Sequence, residues 1–437
     1  METRILIVGT VPYNEQSTSR AFNTYFCNYN HNQLAQIFSN NRIPCKGHCE
    51  TLYQITDSSL LKRRFSKKQQ VGKIYNYDEL PDTWNETNIV KQNKILDKLY
   101  AIGKRKTPIT YLMRKVLWNK KYWNTPQLNK WLEEFNPTIV FLSFSDDFFI
   151  PEIALYVSQK FNIPILSSIG DDYYFNDKFS ISPFYHIYRH KYKKLIDKVM
   201  KRGSAIYIGD KIKNKYNDYF SIDGETIFLT SSVKSKDFTP VNMVNPLISY
   251  CGNIRMGRNR SIVKIAKALK MVNSNYAINV YSNEKDKKFI KPLLKENNIH
   301  FLGQTSYKNV KEITRKSDFV LVVEGEKKKD VYWSRYSLST KVADSLASNS
   351  LIISYGSLEC GAIEYLVNSG ACIYGKSVEE LAENLKNVLN NIDSQRTLFN
   401  KSQELYLKNH LMSVNNKRFI QLVERVENNE KRFNDDN

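Results

Sequence analysis

The stretch "YSLSTKVADSLASNSLIISYGS", residues 336–357, joins the start of a helix to a buried strand. Two hydroxyl residues, Ser339 and Thr340, stand directly before Lys341, where side chains of this kind cap a helix N-terminus. Small, helix-compatible residues follow, and the apolar run from Leu351 is typical of a buried parallel strand. Such a helix start offers free N–H groups and a positive dipole, to which Lys341 adds a full charge. The stretch therefore predicts an α/β sheet with an anion-binding helix terminus, although an ordinary capped helix with a surface lysine has the same pattern.

Short apolar runs like the one from Leu351 recur in two groups along the chain. The first group comprises residues 3–10, 137–145, 161–172, 204–210 and 225–232, and the second comprises residues 246–254, 276–282, 299–307, 317–326 and 351–357. Helical patterns alternate with the strands in both groups, which predicts parallel sheets. Ligands of open parallel sheets bind beyond the carboxyl ends of the strands. We therefore expect two Rossmann-like domains that face each other across a cleft, with the site in that cleft.

The length of 437 residues suggests two or three domains at roughly 100–200 residues each. The boundary is predicted near residues 233–245. We expect an N-terminal domain over residues 1–235, with helical insertions in about 57–130, and a C-terminal domain over residues 236–415. Residues 416–437 are expected to form a terminal helix and a disordered tail.

The formal net charge of +21 favours an anionic partner. A composition rich in Asn, Lys, Ile and Tyr, which is typical of proteins from AT-rich genomes, also raises the lysine content and is the alternative explanation. Two basic segments, residues 112–123 and 184–202, mix Lys and Arg with Trp, Tyr and Leu, a composition that suits an anionic bilayer surface but also a solvated helix face. Nucleic acid is not expected as a partner, because no helix-turn-helix, zinc or RNA-binding motif is recognisable. No apolar run reaches about 18 residues, and the N-terminus is not typical of a signal peptide. We expect a cytoplasmic chain, peripheral at the inner face of the cell membrane.

Six cysteines are spread along the chain, and in a cytoplasmic protein of this length they are expected to be reduced thiols. The cluster Cys45–Cys49 lacks the second pair of ligands that a zinc site needs. We therefore expect no metal and no cofactor.

The chain resembles the GT-B glycosyltransferases, and most closely the glycosyltransferase family 4-like enzymes of bacterial surface polysaccharide synthesis. Four stretches carry the likeness: "IPILSSIGDDYY", "KKLIDKVMKRGSAIYIGDKIKNKYNDYF", "SYCGNIRMGRNRSIVKIAKAL" and "SLSTKVADSLASNSLIISYG". Their order and spacing cover most of residues 1–415. The resemblance implies transfer of a sugar from a nucleotide donor, without a metal and with retention of anomeric configuration. It places the donor on the second domain and the acceptor on the first.

The resemblance also implies roles for residues of the second domain. Lys341 and Arg260 are expected to stabilise the leaving diphosphate as catalytic residues, with Arg258 as a further candidate cation. The expected donor-binding residues are Gly252, Arg255, Gly303, Gln304, Tyr307, Glu324, Ser339, Thr340 and Asp344. The family has two glutamates separated by seven residues. Asp344 aligns with the second of them, but eight positions earlier, at the place of the first, stands Tyr336. Glu324 or Glu326 is the expected replacement.

On the first domain, polar residues follow the predicted strands. Asp172 and Asp146 are candidates to orient an acceptor hydroxyl or take its proton, and Gly9, Thr10 and Asp171 are candidate acceptor-binding residues. Aspartates after a strand are as commonly turn-formers and helix caps. The expected function is a hexosyltransferase that extends a lipid-linked oligosaccharide or another surface glycan such as a capsule. The alternatives are a sugar-nucleotide epimerase and a non-catalytic GT-B subunit that scaffolds a partner glycosyltransferase.

Overall fold

The computed structural model describes residues 2–9, 11–15, 18–66, 68–85 and 107–435. The chain divides into two compact units: unit 1 comprises residues 1–227 and 416–437, and unit 2 comprises residues 228–415. Each unit is an α/β structure built on its own sheet. The prediction of two parallel-sheet α/β halves is confirmed.

Unit 1 contains an eight-stranded sheet. Its strands, in chain order, are β1 (Ile5–Val8), β2 (Leu34–Phe38), β3 (Thr51–Gln54), β4 (Lys73–Asn76), β5 (Ile139–Ser143), β6 (Ile165–Ile169), β7 (Gly203–Tyr207) and β8 (Glu225–Thr226). Their order across the sheet is β4-β3-β2-β1-β5-β6-β7-β8, and only β4 is antiparallel to its neighbour. The strand order reverses between β1 and β5, which makes this the switch point where ligands of such sheets bind.

The helices of unit 1 lie between its strands along the chain, and several of them connect two parallel strands. They are α1 (Ser19–Phe26), α2 (Asp57–Phe65), α3 (Pro108–Leu117), α4 (Lys120–Trp123), α5 (Pro126–Phe135), α6 (Phe149–Phe161), α7 (Pro183–Met200) and α8 (Asp210–Phe220). Local sequence sets their ends. Thr125 caps α5 ahead of a proline at its first position, and Asn136 ends it in the left-handed conformation.

Unit 2 contains a six-stranded, wholly parallel sheet. Its strands are β9 (Ile248–Cys251), β10 (Ile278–Tyr281), β11 (Ile299–Gly303), β12 (Phe319–Val323), β13 (Leu351–Tyr355) and β14 (Ile373–Tyr374). The order β11-β10-β9-β12-β13-β14 is that of the doubly wound dinucleotide-binding fold. Its switch point lies between β9 and β12, which are neighbours in the middle of the sheet.

Helices pack on both faces of the unit 2 sheet. They are α9 (Arg258–Val272), α10 (Lys287–Leu294), α11 (Tyr307–Lys316), α12 (Lys328–Ser334), α13 (Thr340–Ser348), α14 (Gly361–Ser369), α15 (Val378–Leu389) and α16 (Ile392–Asn409). Strand β12 is apolar at every position, and both of its faces are buried. Phe319, Leu321 and Val323 belong to one core cluster, whereas Val320 and Val322 belong to a second. Both sets are buried, because a parallel strand between two helical layers has no solvent-facing side.

The last helix, α17 (Met412–Asp435), packs on unit 1. The Phe419 ring lies against the rings of Tyr25, Phe26 and Phe141 at centroid distances of 5.3–5.9 Å. The helix is assigned as far as Asp435, within the segment expected to be a disordered tail, and disorder there stays a prediction.

Three strands of unit 1 were not predicted. Strands β2 and β3 extend the parallel sheet beyond β1, and β4 adds an antiparallel edge. The segment 57–130 was expected to be helical, and α2 to α5 are indeed helices, but β4 lies among them. These strands are four or five residues long, too short to produce a clear alternation in the sequence. Residues 86–106 of this segment lie outside the described residues.

Among the described residues, none of the helices combines the length and the apolar character that crossing a bilayer requires.

Candidate functional site

The switch point of unit 2 brings chemically active residues together. Gly252 directly follows β9, and Glu324 directly follows β12. Since these two strands are adjacent and parallel, both residues lie at the carboxyl edge of the sheet. Helix α13 begins at the same edge, because it leads into β13, the next strand of the sheet.

Lys341 passes directly over Gly252. The backbone of Gly252 has a φ of +146°, and a Cβ atom there would lie 2.0 Å from Lys341 Cε. Only glycine permits this approach, on grounds of both conformation and space. The Lys341 Nζ is 5.3 Å from the centroid of the Tyr250 ring. The lysine that the sequence pointed to is therefore folded over the end of β9.

The N-terminus of α13 has the predicted cap. Ser339 is the N-cap residue, and its side chain accepts a hydrogen bond from the backbone N–H of Lys341 at 3.4 Å. Thr340 is the first residue of the helix. The remaining N–H groups of the first turn and the helix dipole favour a negative charge at this end.

A buried ion pair lies beside Lys341. Arg258, the first residue of α9, donates two parallel hydrogen bonds to the carboxylate of Glu324, each at 3.0 Å. Both side chains are largely buried, with exposed fractions of 13% and 4%. Bidentate pairs of this type fix geometry as well as charge. Glu324, an expected donor-binding residue, is thus held in place by Arg258.

Burial lowers the pKa of Lys341 to about 8, and the positive charge of Arg258 lowers it further, against the opposing influence of Glu324, Cys251 and Asp344. The ammonium group of Lys341 is thus protonated at neutral pH in an environment that does not fully compensate its charge. An anionic ligand near Nζ would supply the missing compensation.

The other two arginines of this region have separate partners. Arg260 pairs with Asp330 at 2.5 Å, and Arg255 pairs with Glu284 at 2.5 Å. The Arg255 guanidinium, together with backbone N–H groups, lowers the pKa of Glu284 to about 2. Arg255 is half-exposed and Arg260 slightly less so. Of the three arginines, the one whose charge acts on Lys341 is Arg258, which was the weakest of the three candidates from the sequence.

The remaining predicted donor residues lie at the same edge of the sheet. Asp344, one turn into α13, accepts a hydrogen bond from the Ser231 hydroxyl at 2.6 Å. Gly303 ends β11, two strands away from Gly252, and has a φ of +75° with open space where a Cβ would stand. Gln304 and Tyr307 follow it. Their role in donor binding stays a prediction.

In unit 1, the aspartates that follow β5 hold helix α3. The Tyr111 hydroxyl donates to the Asp146 carboxylate. Arg114 donates to both oxygens of Asp147, at 3.0 and 2.9 Å, and also pairs with Asp57 at 3.3 Å. These contacts were not predicted from the sequence, although Tyr111 and Arg114 are three residues apart and therefore share a helix face. The catalytic role expected for Asp146 stays a prediction.

The aspartates that follow β6 are also engaged. Asp172 accepts hydrogen bonds from the Phe175 backbone N–H at 2.8 Å and from the Tyr216 hydroxyl at 2.9 Å. Asp171 is exposed. Burial raises the pKa of the neighbouring Tyr173, and the negative charge of Asp171 raises it further. The Asp172 contacts are those of a turn-former, and its catalytic role stays a prediction.

Gly9 directly follows β1 at the switch point of unit 1, and a Cβ there would lie 3.1 Å from Cβ of Ser143. Thr10, the other predicted acceptor residue here, lies outside the described residues. In the part of the chain that the structure describes, no three His, Cys, Asp or Glu side chains are grouped as metal ligands would be.

Two parallel-sheet α/β units with these strand orders and a final helix that returns to the first unit define the GT-B fold. No family profile matches the chain, and no curated protein sequence matches it.

Solved structures show the same fold. HepE from Anabaena in complex with UDP-glucose superposes with a TM-score of 0.57 at 9% identity, covering 97% of this chain and 100% of HepE. A sucrose-phosphate synthase from Thermosynechococcus elongatus has a TM-score of 0.54 at 10% identity, covering 97% of this chain and 99% of that one. WaaG, a glycosyltransferase involved in lipopolysaccharide biosynthesis, has a TM-score of 0.52 at 12% identity, covering 96% and 99%. The likeness at these identities establishes a common fold.

Proposed function

We propose that this protein is a glycosyltransferase that moves a sugar from a nucleotide-sugar donor to a lipid-linked oligosaccharide or another surface glycan. The observation that carries the proposal is the cationic site at the switch point of unit 2. Lys341, the N-terminus of α13 and the Arg258–Glu324 pair meet at the end of β9. These groups are suited to a diphosphate, because helix N-terminal amides and fixed cations compensate its charge without a metal.

Solved structures of the same fold support the proposal. The HepE structure contains UDP-glucose, which is a nucleotide diphosphate sugar. WaaG is a glycosyltransferase of lipopolysaccharide biosynthesis, which is a surface glycan. A donor of this class carries the diphosphate that the unit 2 site is suited to bind.

In the proposed reaction, the acceptor hydroxyl oxygen bonds to the anomeric carbon while the bond from that carbon to the diphosphate oxygen breaks. The leaving nucleoside diphosphate gains negative charge, and Lys341 together with the α13 amides stabilises it. The acceptor proton passes to a base, for which Asp146 and Asp172 are the candidates. We propose retention of anomeric configuration and no requirement for a metal.

Incubation of the full chain with UDP-, GDP-, ADP- and TDP-sugars, followed by calorimetry and by detection of released nucleotide, tests the donor half of the proposal. Donors of one nucleotide are expected to bind, and the Lys341→Met substitution is expected to weaken their binding. The matched control is Lys291→Met, an exposed lysine of α10. Absence of binding to every donor would count against a glycosyltransferase and favour a scaffold subunit, whereas isomerisation of the sugar without transfer would identify an epimerase.

Separate experiments test whether the reaction requires a metal and whether it retains the anomeric configuration. Transfer is expected to continue in excess EDTA, and NMR of the new glycosidic bond is expected to show the anomeric configuration of the donor. Loss of turnover in EDTA with recovery on added Mg²⁺ or Mn²⁺ would refute the metal-free mechanism.

A lipid-linked acceptor requires contact with a membrane, and unit 1 has a suitable surface. Helix α3 exposes Ile109, Met113 and Val116 on one face. Helix α7 packs against α3, with the rings of Tyr111 and Tyr188 stacked at 4.7 Å. Beside them, α7 and the loop before it expose four further apolar residues, namely Phe179, Ile181, Phe184 and Ile187. We call these seven residues the apolar surface of unit 1.

Exposed lysines accompany the apolar surface, among them Lys120, Lys121, Lys178, Lys191 and Lys194. A mixed apolar and basic surface fits the headgroup region of an anionic bilayer, where apolar side chains insert and lysines meet anionic lipids. We therefore propose that unit 1 docks at the inner face of the cell membrane.

Flotation with vesicles of phosphatidylcholine alone or with one third phosphatidylglycerol tests this docking. The variant Met113→Ser/Phe179→Ser/Ile181→Ser is expected to bind anionic vesicles about 100-fold more weakly, at roughly 1 kcal/mol for each inserted side chain. The matched control is Val244→Ser/Leu294→Ser/Leu302→Ser, which removes three exposed apolar residues of unit 2. Equal binding by both variants, or no preference for anionic vesicles, would refute the proposed docking surface.

A further inference from the structure

The segment between Glu324 and Ser339 forms one border of the unit 2 site. It leaves β12 at the carboxyl edge of the sheet and returns at the cap of α13. Both ends of the segment therefore lie beside the groups that are proposed to hold the diphosphate. With a diphosphate held by those groups, the sugar attached to its outer phosphate would lie next to this segment.

The carboxylates of this segment already have cationic partners. Glu324 pairs with Arg258 at 2.8 Å, and Glu326 pairs with Lys264 at 2.6 Å. The third, Asp330, pairs with Arg260. Neutral sugars are commonly held by carboxylates that accept hydrogen bonds from their hydroxyl groups, and in this segment the charge of each carboxylate is already compensated by a cation.

The lysines of the same segment, by contrast, have no anionic partners among the described residues. Lys327, Lys328 and Lys329 are exposed, and within the described ranges their side chains make no ion pair or hydrogen bond. The guanidinium of Arg335 lies over the rings of Tyr332 and Tyr336, at 4.3 and 4.9 Å from their centroids. Tyr336 stands where a carboxylate was expected. The segment therefore carries surplus positive charge next to the proposed position of the sugar.

We propose that the transferred sugar is acidic, so that its carboxylate meets the lysines of the segment 327–329. This inference rests on the proposed function, since it concerns the sugar of the nucleotide donor. The lysine side chains are long enough to donate hydrogen bonds to a carboxylate that lies beyond the diphosphate. A donor with such a sugar carries one more negative charge than a neutral nucleotide sugar.

Calorimetry with matched donor pairs tests the inference, for example UDP-glucuronic acid against UDP-glucose and GDP-mannuronic acid against GDP-mannose. For the nucleotide that binds, the acidic donor is expected to bind about tenfold more tightly at low salt, with the ratio falling at high salt. The variant Lys327→Gln/Lys328→Gln/Lys329→Gln is expected to bring the ratio close to one. The matched control, Lys291→Gln/Lys295→Gln/Lys308→Gln, removes the same charge from exposed lysines elsewhere in unit 2 and is expected to keep the ratio.

Three results would overturn the inference. Equal affinity for both donors, or preference for the neutral one, overturns it and leaves the proposed function standing, because a nucleotide sugar still binds. Equal loss of the ratio in both triple variants shows a general charge effect and also overturns it. If the free nucleoside diphosphates and all donors fail to bind, the proposed function fails together with the inference.

Discussion

The replacement of Lys341 by methionine separates the electrostatic role of this residue from its packing. Methionine keeps much of the side-chain volume over Gly252 but removes the charge. A hydrogen-bonded contact to a charged group contributes about 1.5–3 kcal/mol, so the affinity for a nucleoside diphosphate is expected to fall roughly 10- to 100-fold. The stability of the ligand-free protein is expected to change in the opposite direction.

The pKa of Lys341 gives the size of the expected change in the stability of the ligand-free protein. Its pKa falls from the ordinary 10.5 to about 8, because the folded protein disfavours the charged form. The unfolded chain therefore binds more protons between pH 8 and 10.5, and wild-type stability gains in this window as pH rises. Below pH 8 the full penalty of about 3 kcal/mol applies. The methionine variant lacks this penalty, so its free energy of unfolding at pH 7 is expected to rise by as much as about 3 kcal/mol.

Denaturant unfolding and calorimetric titration with UDP or the nucleotide that binds, each from pH 6 to 10, measure both effects. Wild-type affinity is expected to weaken above about pH 8, by at most about tenfold per pH unit, as Lys341 loses its proton. The variant is expected to show neither this dependence nor the gain in stability above pH 8. Wild-type affinity and an unchanged pH profile in the variant would refute the diphosphate role of Lys341, and Lys291→Met controls for loss of a lysine charge.

Three further predictions concern single side chains. Gly252→Ala is expected to weaken diphosphate binding and to cost about 1–3 kcal/mol of stability, because its Cβ displaces Lys341 and strains the backbone; unchanged calorimetry and unfolding would contradict this. Arg258→Met leaves the Glu324 carboxylate buried without its cation, so denaturant unfolding should show a loss of about 3–5 kcal/mol, most of it recovered when Glu324→Gln is added. Arg114→Met is expected to cost roughly 2 kcal/mol, because two partly buried aspartates lose their shared cation, whereas an exposed lysine replaced as a control should cost little.

Much of the fold could be predicted from the chain because its central strands are unusually clear. The run 319–323 is apolar throughout, and burial of both faces of a parallel strand demands this composition. Strands β2, β3 and β4 were missed, since strands of four or five residues with mixed composition leave little periodic signal. The final helix was recognised, but its packing against Tyr25 and Phe26 depends on residues nearly 400 positions away in the chain.

In the candidate site, too, some features could be predicted from the sequence and others could not. Local sequence was sufficient to predict that Ser339 caps a helix and that Lys341 stands at its start, because capping depends on neighbouring residues only. It was not sufficient to rank Arg258 above Arg260, since that choice depends on Glu324 reaching the same point from another strand. Nor could it show that a lysine would lie 2.0 Å from where a Cβ of Gly252 would stand. The sequence alone determined the two α/β halves and the capped helix, because periodicity and capping depend on residues close together in the chain. The ion-pair partners and the pKa of Lys341 were decided by the tertiary structure, because burial and local charge depend on which distant residues meet.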